Sequence, residues 1–210
     1  MTPQEIETEL KKRLKYPYRW GRKQTNFYNG KTNFIYKISD FDELLKEINR
    51  RFKGSVNYKD FFNYTLNRWY NFWSAKAVEK IFCSMPNVNP FFDKKNKLVD
   101  FEIQGVSFDH KTSVFPKNYP KDLVYAQKNP TDLIKWLYEN QSQQQRKHLK
   151  NRLFIILYSN SGTHWQLKAE VQWLKDLIKD YVKSFNPKNL YKFNFEPNSI
   201  TLSDIIWAIK

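Results

Sequence analysis

Residues 98–114, LVDFEIQGVSFDHKTSV, alternate apolar and polar side chains on either side of one glycine. A period of two puts every second side chain on the same face of a strand, which a helix cannot do. With Gln104-Gly105 as a two-residue turn, Ile103 faces Val106, Phe101 faces Phe108 and Asp100 faces Asp109. One face of the predicted hairpin then carries Val99, Phe101, Ile103, Val106 and Phe108. The other carries Asp100, Glu102, Ser107, Asp109 and Lys111. In this register the His110 ring points to the apolar face.

The rest of the chain supplies elements for such a hairpin to pack on. Residues 3–15 read as a short helix, with acids in the first turns and bases in the last. The basic, aromatic stretch after it carries Asn29-Gly30 as a turn signal and a strand-like NFIYKI at 33–38. Residues 39–52 read as a helix capped by Ser39 or Asp40 and closed by Gly54. Residues 58–83 hold the longest helical pattern, with Phe62, Leu66, Trp69, Trp73, Ala77 and Ile81 in one stripe. Prolines break the pattern before the hairpin and punctuate residues 115–130 after it. A helix is expected over 131–150, capped by Thr131 or Asn129. RLFIILYS at 152–159 is a continuous apolar run, expected as a buried strand. Another helix is expected over 163–185. The last segment reads as a strand, with a short helix over 202–209 as the alternative. The fold class is therefore α/β or α+β, with a mixed sheet between helices. The expected domains are an N-terminal helix and hairpin extension, 1–55, and a core, 56–210.

A chain of 210 residues with 40% hydrophobic and 18% aromatic side chains can bury a sizeable core. No apolar run is long enough to cross a bilayer, and residues 1–15 lack a secretory apolar region, so a cytoplasmic location and no membrane partner are expected. Cys83 is the only cysteine, which excludes an internal disulfide and a cysteine-based zinc site. His148 and His164 show no metal-ligand spacing, and no glycine-rich phosphate or dinucleotide motif is present. Ser161 and His164 lie close in sequence, but no third member of a triad is visible. The net charge of +15 attracts polyanions, nucleic acid above all. Solubility and lysine-rich codon usage account for the same excess.

Two aspartates side by side on a hairpin repel each other. A divalent cation relieves that repulsion, and Mg²⁺ takes a few carboxylate oxygens while keeping several waters. Lys111, one step along the same face, can hold a phosphate oxygen or steady an attacking water. The set suits phosphodiester hydrolysis. The pattern acid-x-Lys also occurs as Glu9-Leu10-Lys11, on a predicted helix, and as Asp93-Lys94-Lys95, in a polar loop. Only Asp109-His110-Lys111 lies on a predicted strand with a second aspartate opposite. A hairpin with one solvated polar face gives the same alternation and remains the competing reading.

These residues resemble the PD-(D/E)XK nuclease superfamily, whose restriction endonuclease-like core runs αβββαβ. Asp100 matches the first aspartate of the motif, and Asp109 with Lys111 matches the second part. Val99 stands where the family name has proline. The likeness covers residues 58–160. It implies a metal-dependent nuclease acting on DNA, with Asp100, Asp109 and the His110 backbone carbonyl holding Mg²⁺ (Mn²⁺ as substitute). Glu79, near the end of the long helix, matches the further glutamate that many members use, and is expected in the same site. The alternative is a non-catalytic nucleic-acid-binding protein on this fold. For binding, residues 11–23 interleave bases with aromatics, and Arg19, Arg22 and Lys23 are expected on phosphates. Gln143, Arg146 and Lys147 are the corresponding candidates on the 131–150 helix. Double-stranded DNA is the expected partner. A homodimer would suit cutting both strands, although nothing in the chain demands one.

Overall fold

The computed structural model describes residues 1–91, 98–140 and 148–210. In chain order they form α1 (Pro3–Arg13), α2 (Asn26–Lys31), a 3₁₀ turn at Asn33–Tyr36, α3 (Phe41–Phe52), α4 (Tyr58–Cys83), β1 (Val88–Pro90), β2 (Phe101–Ile103), β3 (Val106–Val114), α5 (Leu123–Lys128), α6 (Pro130–Glu139) and β4 (Arg152–Tyr158). A 3₁₀ stretch at His164–Ala169, α7 (Val171–Ser184), β5 (Tyr191–Glu196) and β6 (Ser199–Ile209) complete them. The chain divides into two compact units. One comprises 1–78 with 168–172, the other 79–167 with 173–210.

In the first unit, Thr2 caps α1 in a reciprocal box with Glu5, and Asp40 caps α3 by accepting from the Glu43 amide. Aromatic side chains join α3 and the segment after α1 to α4. The Phe52 ring stacks on Phe61 at 4.2 Å, Phe41 lies 5.3 Å from Trp69, and Tyr16 lies 5.7 Å from Phe62. Most of α4 belongs to this unit, whose first stretch runs to residue 78. Arg13 is fully buried and donates to the Tyr16 and Pro17 carbonyls and to Asn67 Oδ1. The expected hairpin around Asn29-Gly30 is absent. Thr25 caps a short helix there by accepting from the Tyr28 amide, and NFIY forms a 3₁₀ turn. The physical reason is the lack of a partner strand. The Trp73 indole N–H instead takes the Ile35 carbonyl, and the Tyr28 ring packs 4.7 Å from Phe61.

The second unit is built on a six-stranded mixed sheet in the order β1-β2-β3-β4-β6-β5. β1, β2 and β3 are antiparallel, β4 runs parallel to both β3 and β6, and β5 is antiparallel to β6. One face carries Phe154, Ile156 and Ile205, packed under Leu133, Ile134, Leu137 and Tyr138 of α6. On β2 and β3, Phe101 stacks on Phe82 at 4.3 Å and Phe108 meets Phe185 edge-on. All but the last residue of β4 is buried, as a strand covered on both faces requires. The C-terminal segment is a strand, not a short helix, because its backbone completes the ladder from Arg152↔Ser203 to Tyr158↔Ile209.

The helix expected over 131–150 closes at Glu139, where the Asn140 amide bonds to the Trp136 carbonyl; residues 141–147 lie outside the described residues. The helix expected over 163–185 divides into the 3₁₀ stretch and α7. The His164 ring pins the start by accepting from the Ser159 amide and stacking on Tyr158. β1 and β5 had no forecast in the sequence. Among the described residues no helix is long and apolar enough to cross a membrane.

Within β3, Thr112 Oγ1 is buried with no hydrogen-bond partner among the described residues. A buried hydroxyl in that state costs about 1–3 kcal/mol. Thr112→Val keeps the shape and removes the orphan. It is expected to raise the urea midpoint by the equivalent of about 1 kcal/mol with an unchanged slope; a lower midpoint would show that the hydroxyl is satisfied.

Candidate active site

The β2–β3 turn adopts the form its sequence demands. Gln104 and Gly105 have φ of 47° and 82°, the two left-handed conformations of a type I′ turn. The register is Ile103↔Val106, Glu102↔Ser107 and Phe101↔Phe108. There the regular ladder ends. The Asp100 amide donates to the Phe108 carbonyl at 2.8 Å, and the Phe91 amide donates to the Asp100 carbonyl. Asp100 therefore bends out of the strand one step before the expected Asp100–Asp109 pairing.

The bend sends the Asp100 carboxylate to His110. Its Oδ2 accepts from the His110 backbone amide at 2.8 Å and lies 2.7 Å from Nδ1 of the ring. The His110 side chain is 5% exposed. Burial opposes an imidazolium there, but Asp100, with Asp109 and Glu79 acting through space, overcomes it and lifts the His110 pKa above its ordinary value. The three acids singled out in the sequence thus share one electrostatic target.

Asp109 is held from the other side. Parallel pairing sets it opposite Arg152, whose Nε donates to Asp109 Oδ2 at 2.6 Å. His148 Nε2 lies 3.4 Å from the same oxygen and 2.6 Å from an Arg152 terminal nitrogen. Burial alone would raise the Asp109 pKa. His148, Arg152 and His110 more than offset it, so the carboxyl sits below the usual range. Asn151 braces this end of the sheet. Its Nδ2 donates to the Ser107 carbonyl, its Oδ1 accepts from the Leu202 amide, and its own carbonyl accepts from the Asp109 amide. A pocket of about 340 Å³ opens here, lined by Leu98, Val99, Ser107, Lys150, Asn151 and Ile200.

The structure holds the two aspartates by different partners, Asp100 by His110 and Asp109 by Arg152 and His148, while Glu79 acts on the His110 ring through space. Lys111 pairs with Phe154 in the β3–β4 register, two residues beyond Asp109 and on its face of the strand. Arg19, Arg22 and Lys23 are exposed in the first unit, and Arg22 Nε lies 2.6 Å from Asp60 Oδ2. Gln143, Arg146 and Lys147 lie outside the described residues. Sequence reasoning missed His148 and Arg152. A signal for Arg152 existed, since a guanidinium opening an otherwise apolar buried strand must find a counter-ion.

Carboxylate oxygens and a backbone carbonyl are the donors a hard divalent cation takes, so the donor chemistry fits Mg²⁺. Cations of the chain already engage Oδ2 of both aspartates, and among the described residues no group of three or more His, Cys, Asp or Glu side chains is arranged to hold a metal. No family model, curated protein or solved structure matches this chain.

Because its folded-state pKa is raised, His110 contributes stability that is complete below 6.5 and lost as pH rises through the raised value. Asp100→Asn is expected to cost about 1.5–3 kcal/mol at about pH 6, as loss of a hydrogen bond to a charged group does. The cost should shrink as the pH rises. Urea denaturation of both proteins across that range measures it, and a pH-independent difference would show that His110 is neutral.

Proposed function

We propose that this chain is a metal-dependent nuclease of the PD-(D/E)XK type, hydrolysing phosphodiester bonds of DNA. The observation that carries the reading is Asp109 and Lys111 on one face of β3, with Asp100, at the end of the neighbouring strand, bonded to His110 between them. Two further features support it. The run α4-β1-β2-β3-α5-α6-β4, with three antiparallel strands and a parallel fourth, follows the order that the αβββαβ resemblance implies, with the short α5 added. The net charge of +15 suits a polyanionic substrate.

In this reading Asp100, Asp109 and the His110 carbonyl hold Mg²⁺ or Mn²⁺, with Glu79 reaching in directly or through water. The ion supplies charge neutralisation and acidifies a water. The chain supplies the rest. Lys111 steadies the attacking water or a non-bridging phosphate oxygen. Lys150, at the pocket wall, takes a neighbouring phosphate. Arg152 and His148 fix the Asp109 carboxylate, as an orienting layer behind a reacting group does. Double-stranded DNA is the proposed substrate, and a homodimer is the assembly that would cut both strands.

A second reading has one observation in its favour. Asp109 Oδ2 is already engaged by Arg152 and His148, a state that needs no metal. A nucleic-acid-binding protein without catalysis on the same fold would keep it so.

Lys111→Ala separates the two more cleanly than Asp109→Ala, which removes the carboxylate partner of buried Arg152 and is expected to cost about 3–5 kcal/mol of stability. Wild-type protein with Mg²⁺ or Mn²⁺ should cut plasmid DNA, chelation should stop it, and Lys111→Ala should lower the rate by at least about a hundredfold while DNA binding persists. Absence of cleavage by the wild type with either ion, alongside salt-sensitive binding, would establish the second reading. Absence of binding would reject both.

A further inference from the structure

From residue 10 to residue 39 the chain carries nine Lys and Arg and no Asp or Glu. Within that stretch, α2 and the 3₁₀ turn after it leave two large aromatic rings open to solvent, Phe27 at 60% and Tyr36 at 47% exposure. Exposed rings set among cations are the surface on which unpaired bases stack. Cations line the same surface. Lys31 Nζ lies 6.0 Å over the Phe27 ring, Arg51 4.5 Å over Phe34, and Arg68 5.4 Å over Tyr36.

Arg68 fixes the two segments to one another. Its guanidinium donates to the Asn29 carbonyl and Thr32 Oγ1 of the α2 side, and to Asn33 Oδ1 and the Tyr36 hydroxyl of the turn. All four acceptors are neutral. A nearly buried cation held by neutral dipoles keeps its full charge beneath the surface it organises. Tyr64 adds a hydrogen bond to Asn29 Oδ1, and Phe72 meets Tyr36 edge-on at 4.8 Å. The Tyr36 ring is thus held in place rather than left to swing.

We propose that α2 and the turn after it form a stacking platform for single-stranded DNA. Unpaired bases lie on the Phe27 and Tyr36 rings, and the exposed Lys23, Lys31 and Lys37 take phosphates. Single strands fit better than duplex, because paired bases keep their faces inside the helix. The platform goes beyond the hydrolysis proposed above, and needs neither a metal nor Asp109.

The test is binding of a labelled oligothymidylate and of a duplex of equal length, read by fluorescence anisotropy in chelator so that no cleavage occurs. Wild type should bind the single strand, and the platform variants should lose single-strand binding more than duplex binding. Phe27→Ala/Tyr36→Ala should weaken single-strand binding by at least about tenfold, and Phe27→Ala alone, at the more exposed ring, should weaken it with little change in thermal unfolding. Lys31→Gln should reduce the slope of log affinity against log salt by about 0.7. Equal single-strand affinity for the double variant and the wild type would overturn the proposal. So would a double variant that loses duplex affinity as steeply as single-strand affinity, or a wild type that binds anionic lipid vesicles and not the oligonucleotide. The result stands apart from catalysis, since a protein that binds but never cuts would retain the platform and lose only the nuclease reading.

Discussion

The Asp109–Arg152 ion pair is the contact around which the sheet end is organised. Parallel pairing of β3 and β4 brings the two residues side by side, and both are almost wholly out of water. Neither could sit there alone. An isolated charge at such a position would shed or gain a proton, or the strands would part. Each therefore commits the other, and the register of β3 on β4 rests on their meeting as much as on the apolar residues beyond. His148 joins them from the chain just before β4, and Asn151 ties the same end to β3 and β6. Together these contacts make a rigid, charged corner where β3 and β4 begin to pair.

That corner explains why His110 matters more than its place in the motif suggests. Its ring lies 6.0 Å from Phe101 and 6.3 Å from Phe82, among the apolar side chains of the hairpin and α4. A neutral ring would suit those neighbours. With the Asp100 carboxylate bent over to it, and Glu79 and Asp109 acting through space, the protonated form of the ring is favoured beyond its ordinary range. Protein cations thus occupy the role that a divalent ion plays in the proposed reaction. A divalent ion entering this corner would have to compete with the chain's own partners for the carboxylates.

The turn at Gln104-Gly105 and the three cross-strand pairs were legible in the sequence, because alternation over that length admits one register and glycine marks the position of the left-handed turn. The buried strand at 152–158 was legible from its unbroken apolar run. The fate of Asp100 was not. Alternation says on which side a residue starts, but not that the strand ends one residue early and lets the side chain swing to His110. The N-terminal NFIYKI was misread because its aromatics satisfy a strand pattern and a helix-packing surface equally, and only the lack of a neighbouring strand decides between them. Arg152 and His148 escaped notice because their importance lies in contacts to Asp109 far away in the chain, set by strand order rather than by spacing.

The most direct measurement of whether these carboxylates form a cation site is titration of the protein with Mn²⁺ while the His110 ring resonances are followed by NMR. Selective paramagnetic broadening of His110 is predicted at low Mn²⁺, with His164 unaffected, and the effect should be lost in Asp100→Asn. Uniform or absent broadening, or broadening that survives removal of the Asp100 charge, would contradict it.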